Sequence, residues 1–221
     1  MPYNGKIPYM IVCPYNFSES FPTSISLTSK PCFVARNNLK IINNLPEGAK
    51  KTFGICVKHI SFPEYSFGIK FIEWVHLMRI LGASKIHIPV RLLHEDVRKV
   101  FNYFEDLGYI ETSTFSEPSG VPDVKYSRTC QTLENNMIND CFYKVKNLYD
   151  YVLICDPDEV IMPLKDTDRT WHDILAHFKN EMGIKDSFMA RQRIYPNVIL
   201  NLNPEIEEYH YMLQHVWVIF Q

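Results

Sequence analysis

Tyr151-Val152-Leu153-Ile154-Cys155 is apolar at five successive positions and runs straight into Asp156-Pro157-Asp158-Glu159. A strand with one wet face alternates apolar and polar side chains. An unbroken apolar run fits a strand covered on both faces, as in a parallel sheet. The run therefore reads as a central strand. Phe53-Gly54-Ile55-Cys56-Val57, the stretch around Ile86 and Ile88, and Tyr109-Ile110-Glu111 read as further strands. Between them the period changes. Phe71, Trp74, Val75, Met78 and Leu81 make one helical face, closed by Gly82; Val97, Val100, Phe101, Phe104 and Leu107 make another, closed by Gly108. Cys130, Leu133, Met137, Cys141, Val145 and Leu148 make a third.

These patterns predict strands near 53–58, 85–89, 109–112 and 151–155, and helices over 69–81, 94–107 and 130–148. A fourth helix is expected from Trp171, with Thr170 as cap, Asp173 as the capping-box acid, and Trp171, Ile174, Leu175, Phe178 and Met182 as its apolar face. Alternating strands and helices predict an α/β fold with a mainly parallel sheet flanked by helices. Residues 113–128, with Pro118, Gly120 and Pro122, read as a long loop. Residues 1–52, punctuated by six prolines, read as an extended N-terminal segment with one or two short strands added to a sheet edge. The α/β domain is then 53–221.

Composition narrows the function. The 221 residues carry 23 basic and 25 acidic side chains, a formal charge of −2, so no basic field exists to hold a nucleic acid. No stretch approaches the ~20 apolar residues of a membrane span, and the first residues do not read as a signal peptide. The six cysteines, at 13, 32, 56, 130, 141 and 155, include no CxxC pair, which argues against a zinc cluster. An even count permits disulfides. Cys56 and Cys155, inside apolar runs, are expected as buried thiols. Asn16-Phe17-Ser18 is a sequon that matters only in the secretory pathway.

The acids at the end of the Tyr151–Cys155 run carry the chemistry. Val160-Ile161-Met162-Pro163 is apolar again, and acids between two buried runs need paired cations or a metal. No Lys or Arg follows until Lys165, and the strand supplies none. Carboxylates are hard ligands suited to Mg²⁺ or Mn²⁺. On extended backbone Asp156 and Asp158 would face one ion, with Glu159 pointing the other way as a structural acceptor. A solvated loop is the plain alternative. Two enzyme classes place Asp-x-Asp after a strand. In haloacid-dehalogenase phosphatases Asp156 would be the nucleophile and Asp158 the general acid, but there the motif opens its domain and further acids come after it. In nucleotide-sugar transferases of the GT-A fold it closes a nucleotide-binding half near mid-domain, and the position at 156 favours them.

Several blocks in order resemble glycosyltransferase family 92: Phe53-Gly54-Ile55-Cys56-Val57-Lys58, Ile72-Glu73-Trp74, Leu81-Gly82-Ala83, Asn139-Asp140-Cys141-Phe142-Tyr143, and Asp156-Pro157-Asp158-Glu159-Val160-Ile161-Met162-Pro163. Cys13-Pro14 and Pro22 to Leu27 resemble the family's entry segment. The resemblance covers most of 12–175. It implies a GT-A-like fold, a UDP-sugar donor, a glycan acceptor, Mn²⁺ (or Mg²⁺) as cofactor, galactose as the hexose, and a type II membrane protein of the Golgi. It also implies a chain that stops short at both ends: the usual anchor is missing, and family members continue well past the apolar Val216-Trp217-Val218-Ile219-Phe220. A catalytically inactive truncated transferase is therefore an alternative. Asp156 and Asp158 are the expected metal and donor residues. Lys58, ending the first strand, could touch the nucleotide, with an ordinary solvated lysine as the plainer reading. Trp74 reads as core, Asn139 and Asp140 as hydrogen-bonding groups near the site, and His210 and His215 as isolated histidines. An inverting transfer needs a base; Glu205, Glu207 and Glu208 are available, and none is singled out.

Overall fold

A computed structural model describes residues 10–14, 21–114, 128–183, 185 and 187–189, with the side chains of 128–133 and 182 excepted. Two short strands come first, β1 (Ser24–Ile25) and β2 (Leu39–Lys40), antiparallel with Ser24 opposite Lys40. Asn37 clamps the connection. Its amide donates to the Leu27 carbonyl at 2.7 Å and its side-chain oxygen accepts from the Leu27 N–H at 2.8 Å. These strands pair with each other and not with the main sheet, against the expectation of an added edge. The described residues of 10–50 are nearly all exposed.

The main body then alternates as the apolar spacing predicts: β3 (Lys51–Val57), β4 (Ile60–Phe62), α1 (Gly68–Leu81), β5 (Ala83–Leu93), α2 (Glu95–Asp106), β6 (Ile110–Thr114), α3 (Arg128–Val145), β7 (Tyr149–Cys155) and α4 (Trp171–Met182). The expected α1 face is buried in full, and Gly82 ends the helix at φ 120°, its N–H on the Met78 and Arg79 carbonyls. Ahead of α4, the Asp173 carboxylate reaches back to the Thr170 N–H at 2.8 Å.

All ladders of the main sheet are parallel. β5 is long enough to take β3 along its first half and β4 further on, with β6 on its other edge. The spatial order is β6–β5–β3–β7, with β4 continuing the line of β3 after a two-residue break at Lys58-His59. Chain order runs outward from β3 through β5 to β6. It then returns across the sheet to β7 on the opposite side of β3. The winding reverses between β3 and β7, which defines a topological switch point.

The sheet faces divide the core. Phe53, Ile55, Val57, Ile86 and Ile88 pack with α1, α2 and Trp171 of α4, where the Phe71 and Phe101 rings stack 4.4 Å apart. On the other face Cys56 and Tyr149 pack with Cys141 and Val145 of α3. The Tyr149 ring lies across Gly54 and its hydroxyl meets His87 Nε2 at 2.9 Å. A Cβ at Gly54 would stand 2.5–2.7 Å from that ring, so only glycine lets β7 reach over β3 to β5.

Three further expectations change. Cys56 is not a free thiol: it is bonded to Cys141 of α3, while Cys155 is free and buried. An apolar run explains burial of a cysteine but carries no information about the partner its sulfur meets across the sheet. Next, β7 is not the central strand. Among the described residues it pairs with β3 alone and Ile154 is 47% exposed, whereas Phe53 to Val57 of β3 are all buried. Uniform apolarity does not distinguish the strand at the switch from the strand at the centre. Finally, β4 is an addition to the expected strands, because Ile60-Ser61-Phe62 is too short to show a period. Thr114 still belongs to β6 and α3 starts at 128; most of the expected loop, and Asn16, lie outside the described residues.

Two consequences can be measured. Burial pushes the His87 imidazole from its usual 6.5 down to about 4, against the opposing charge of Glu111. Folding therefore holds it neutral while the unfolded chain takes up a proton. Its contribution is complete above the unfolded value and is lost as pH falls from there toward the folded one. Urea unfolding should show a loss of about 2 kcal/mol between about pH 7.5 and about pH 5 from this group, and His87→Gln should remove that part of the slope. The disulfide closes a separation of 85 residues. Cys141→Ser should lower unfolding stability by about 2–4 kcal/mol, and reductant should do the same to the unaltered chain.

Candidate functional site

Val57 of β3 lies opposite Cys155 of β7. One step on, both chains leave the sheet, at Lys58 and Asp156. The Lys58 ammonium donates to Asp156 Oδ2 at 2.8 Å and stands 3.4 Å from Glu134 Oε1 of α3. The three side chains are each about one-third exposed, at 30%, 32% and 28% for Lys58, Asp156 and Glu134. The Asp156 carboxylate, above all through this hydrogen bond, holds the Lys58 ammonium above its usual range. The cation that the acid cluster lacks in its own stretch of sequence is thus Lys58, 98 residues away along the chain and adjacent through parallel pairing. Lys58 is thus a partly exposed, ion-paired lysine rather than an isolated one.

The acid cluster itself is a turn rather than extended chain. The Glu159 N–H donates to the Asp156 carbonyl at 2.9 Å, and the Glu159 carboxylate accepts the Asp156 N–H at 2.9 Å. Pro157 takes the second position, where its fixed φ favours a turn. The argument that Asp156 and Asp158 share one side of extended backbone therefore fails. The expectation of Glu159 as a structural acceptor stands, reached through the turn rather than through strand alternation. Asp158, at the tip, is exposed and makes no hydrogen bond or ion pair among the described residues.

Two indoles fix the chain from Glu159 onward. Trp74 of α1, buried in the core, donates from Nε1 to the Glu159 carbonyl at 2.9 Å; Trp171 of α4 donates to the Ile161 carbonyl at 2.7 Å. Trp74 is core, as expected, and also an anchor for the acid turn. Beneath the turn, burial and then the Glu159 and Asp156 charges push the Cys155 thiol up to about 12, which leaves it inert as a nucleophile.

His59 completes the rim. Burial lowers its affinity for a proton, Arg91 adds to that, and Glu134 and Asp156 oppose it. Its Nδ1 is buried with no hydrogen-bond partner among the described residues. Asn139 and Asp140 do not join the site. Asn139 bonds the Asn135 carbonyl on its own helix and Asp140 pairs with Lys144, both on the exposed side of α3. Glu205, Glu207, Glu208, His210 and His215 lie outside the described residues.

The sequence reading does not single out Glu134 or His59. A signal exists for Glu134: it stands seven residues before Cys141, on the same helical face, as Lys58 stands two after Cys56 on the same strand face. Once Cys56 is known to bond Cys141, the meeting of the two charges can be read off. Among the described residues no three His, Cys, Asp or Glu side chains converge as a metal-holding group. The arrangement offers one free carboxylate, one ion-paired carboxylate and one lysine at the carboxyl ends of two parallel strands, where α/β sheets bind ligands.

The family model for glycosyltransferase family 92 matches residues 51–199, which span, among the described residues, the main sheet and helices α1 to α4. No curated protein and no solved structure matches the chain significantly. The match places the chain with the transferases rather than the phosphatases. Over this span the chain belongs to glycosyltransferase family 92: it is a transferase, with a sugar donor and an acceptor as its substrates.

Proposed function

We propose that the chain moves a hexose from a UDP-sugar to a glycan acceptor, with inversion, using Mn²⁺ or Mg²⁺ held by Asp156 and Asp158. One observation carries this reading: the acid turn ends β7 at the switch point, directly beside Lys58 at the end of β3. Galactose as the hexose and inversion rest on the family resemblance.

The donor chemistry fits a hard dication. Both candidate ligands are carboxylates, and Asp158 is free to take one. Two protein carboxylates suffice where substrate phosphates supply further oxygens, as is usual for Mg²⁺. When bound, the ion would neutralise the charge that gathers on the departing diphosphate. Asp156 and Asp158 would hold it, and Lys58, already at the rim, would place a positive charge against the phosphates. Glu159 would act through the backbone by locking the turn that aims both aspartates.

The Cys56–Cys141 disulfide supports a secretory location, since such bonds persist in oxidising compartments. The Golgi lumen or membrane is the proposed site. Among the described residues no helix is long and apolar enough to cross a membrane.

Calorimetry of UDP binding with and without Mn²⁺ tests the reading. Binding should depend on the ion and be lost in Asp158→Asn; transfer by that variant should fall by roughly a thousandfold. Glu159→Gln keeps an acceptor for the Asp156 N–H and should cost less, roughly tenfold. Metal-independent binding that ignores Asp158→Asn would reject the assignment.

A further inference from the structure

Lys58 has two counter-charges on two separate elements. Asp156 belongs to the turn after β7, and Glu134 to α3. The second is a fixed post. Glu134 lies two helical turns from Cys141 on the face that meets the sheet, and Cys141 is bonded to Cys56, two residues before Lys58. The helix cannot slide along β3 without breaking that bond, so the reach from Glu134 to Lys58 is set covalently. The first post is also held, by the Glu159 carboxylate on the Asp156 N–H and by Trp74 on the Glu159 carbonyl. The movable part is the lysine, a point charge on a four-carbon stem with three donors.

This matters for the reading proposed above, on which the inference rests. An ammonium bonded to Asp156 Oδ2 leaves the other oxygen of that carboxylate open, but its charge opposes a dication there. A dication at Asp156 therefore favours movement of Lys58 off that carboxylate, and a second counter-charge within reach lowers the cost of the move. Glu134 stands 3.4 Å from the ammonium already, close enough to receive it by side-chain rotation alone.

We infer that Glu134 is a positioning residue for Lys58: it takes the ammonium over from Asp156 when the donor arrives and holds it facing the diphosphate. Glu134 itself touches neither substrate nor ion. Its whole effect passes through Lys58.

A double-mutant cycle separates that from a direct role, which would persist without the lysine. UDP binding at saturating Mn²⁺ is measured by calorimetry on the full chain, on Glu134→Gln, on Lys58→Met, and on the double variant. Thermal unfolding of each reports whether the fold is kept. Glu134→Gln should weaken UDP binding by about tenfold in the unaltered chain and by less than about twofold in the Lys58→Met background. Should Glu134→Gln fail to fold, Glu134→Asp keeps the charge while shortening its reach, and its loss must likewise vanish without Lys58. An undiminished loss in the Lys58→Met background would overturn the inference, as would unchanged binding by Glu134→Gln, with the transferase reading intact. If the unaltered chain bound no UDP with Mn²⁺, the reading of the site would fall, and the inference with it.

Discussion

The parallel pairing of β3 with β7 is the contact on which the site depends. Six register pairs run from Lys51–Tyr149 to Val57–Cys155 without a shift. A slip of one residue would turn Lys58 away from Asp156, because strand side chains alternate between faces. The register is enforced from within. Tyr149 must lie over Gly54 to reach His87, and no other residue of β3 offers a bare backbone to pass across. A packing detail deep under the sheet, far from the acids, thereby sets which charges meet at its rim.

The second constraint is the clamping of loops to elements that do not move. A turn rich in carboxylates repels itself, and a loose one would scatter its charges. Here Glu159 is committed to the Asp156 N–H, and its carbonyl takes the Trp74 indole. Trp171 repeats the device two residues on, at Ile161. Each tryptophan buries its ring in the core and sends one N–H outward to an irregular segment, the amphipathic use to which indoles are suited. Helices α1 and α4 thus hold the segment after β7 from one face of the sheet, while α3 holds Lys58 from the other through Glu134. The disulfide ties α3 to β3 beside that second hold.

Much of this is legible in the amino-acid order alone. Apolar spacing places all four helices and the four longer strands, since a buried face leaves its period in the sequence. Thr170 with Asp173, Gly82 and Gly108 mark ends for local reasons that neighbours alone determine. Asp156 and Asp158 stand out because acids directly after an apolar run break its pattern. The hidden part is long-range. Lys58 and Asp156 are adjacent only through strand order, and strand order is not a local property. Cys56 and Cys141 each look like core side chains because each is one; the bond between them is a fact about helix placement. The acid turn escapes for a different reason. Pro157 can stiffen an extended segment, yet proline at the second position of four is equally a turn signal, and spacing alone does not choose between the two.

The same geometry sets this Asp-x-Asp apart from a lone one. A solvated acidic loop needs no lysine, no indole anchors and no glycine beneath its strand. At this strand end the neighbouring groups restrain either Asp156 or its partner, while Asp158 at the tip is left unbonded among the described residues. Restraint of one carboxylate next to release of another suits a site that must keep its geometry and still accept a charged ligand. The exposed Asp158 carboxylate stands at the end of the sheet where the winding reverses and α/β folds leave a crevice for their ligands.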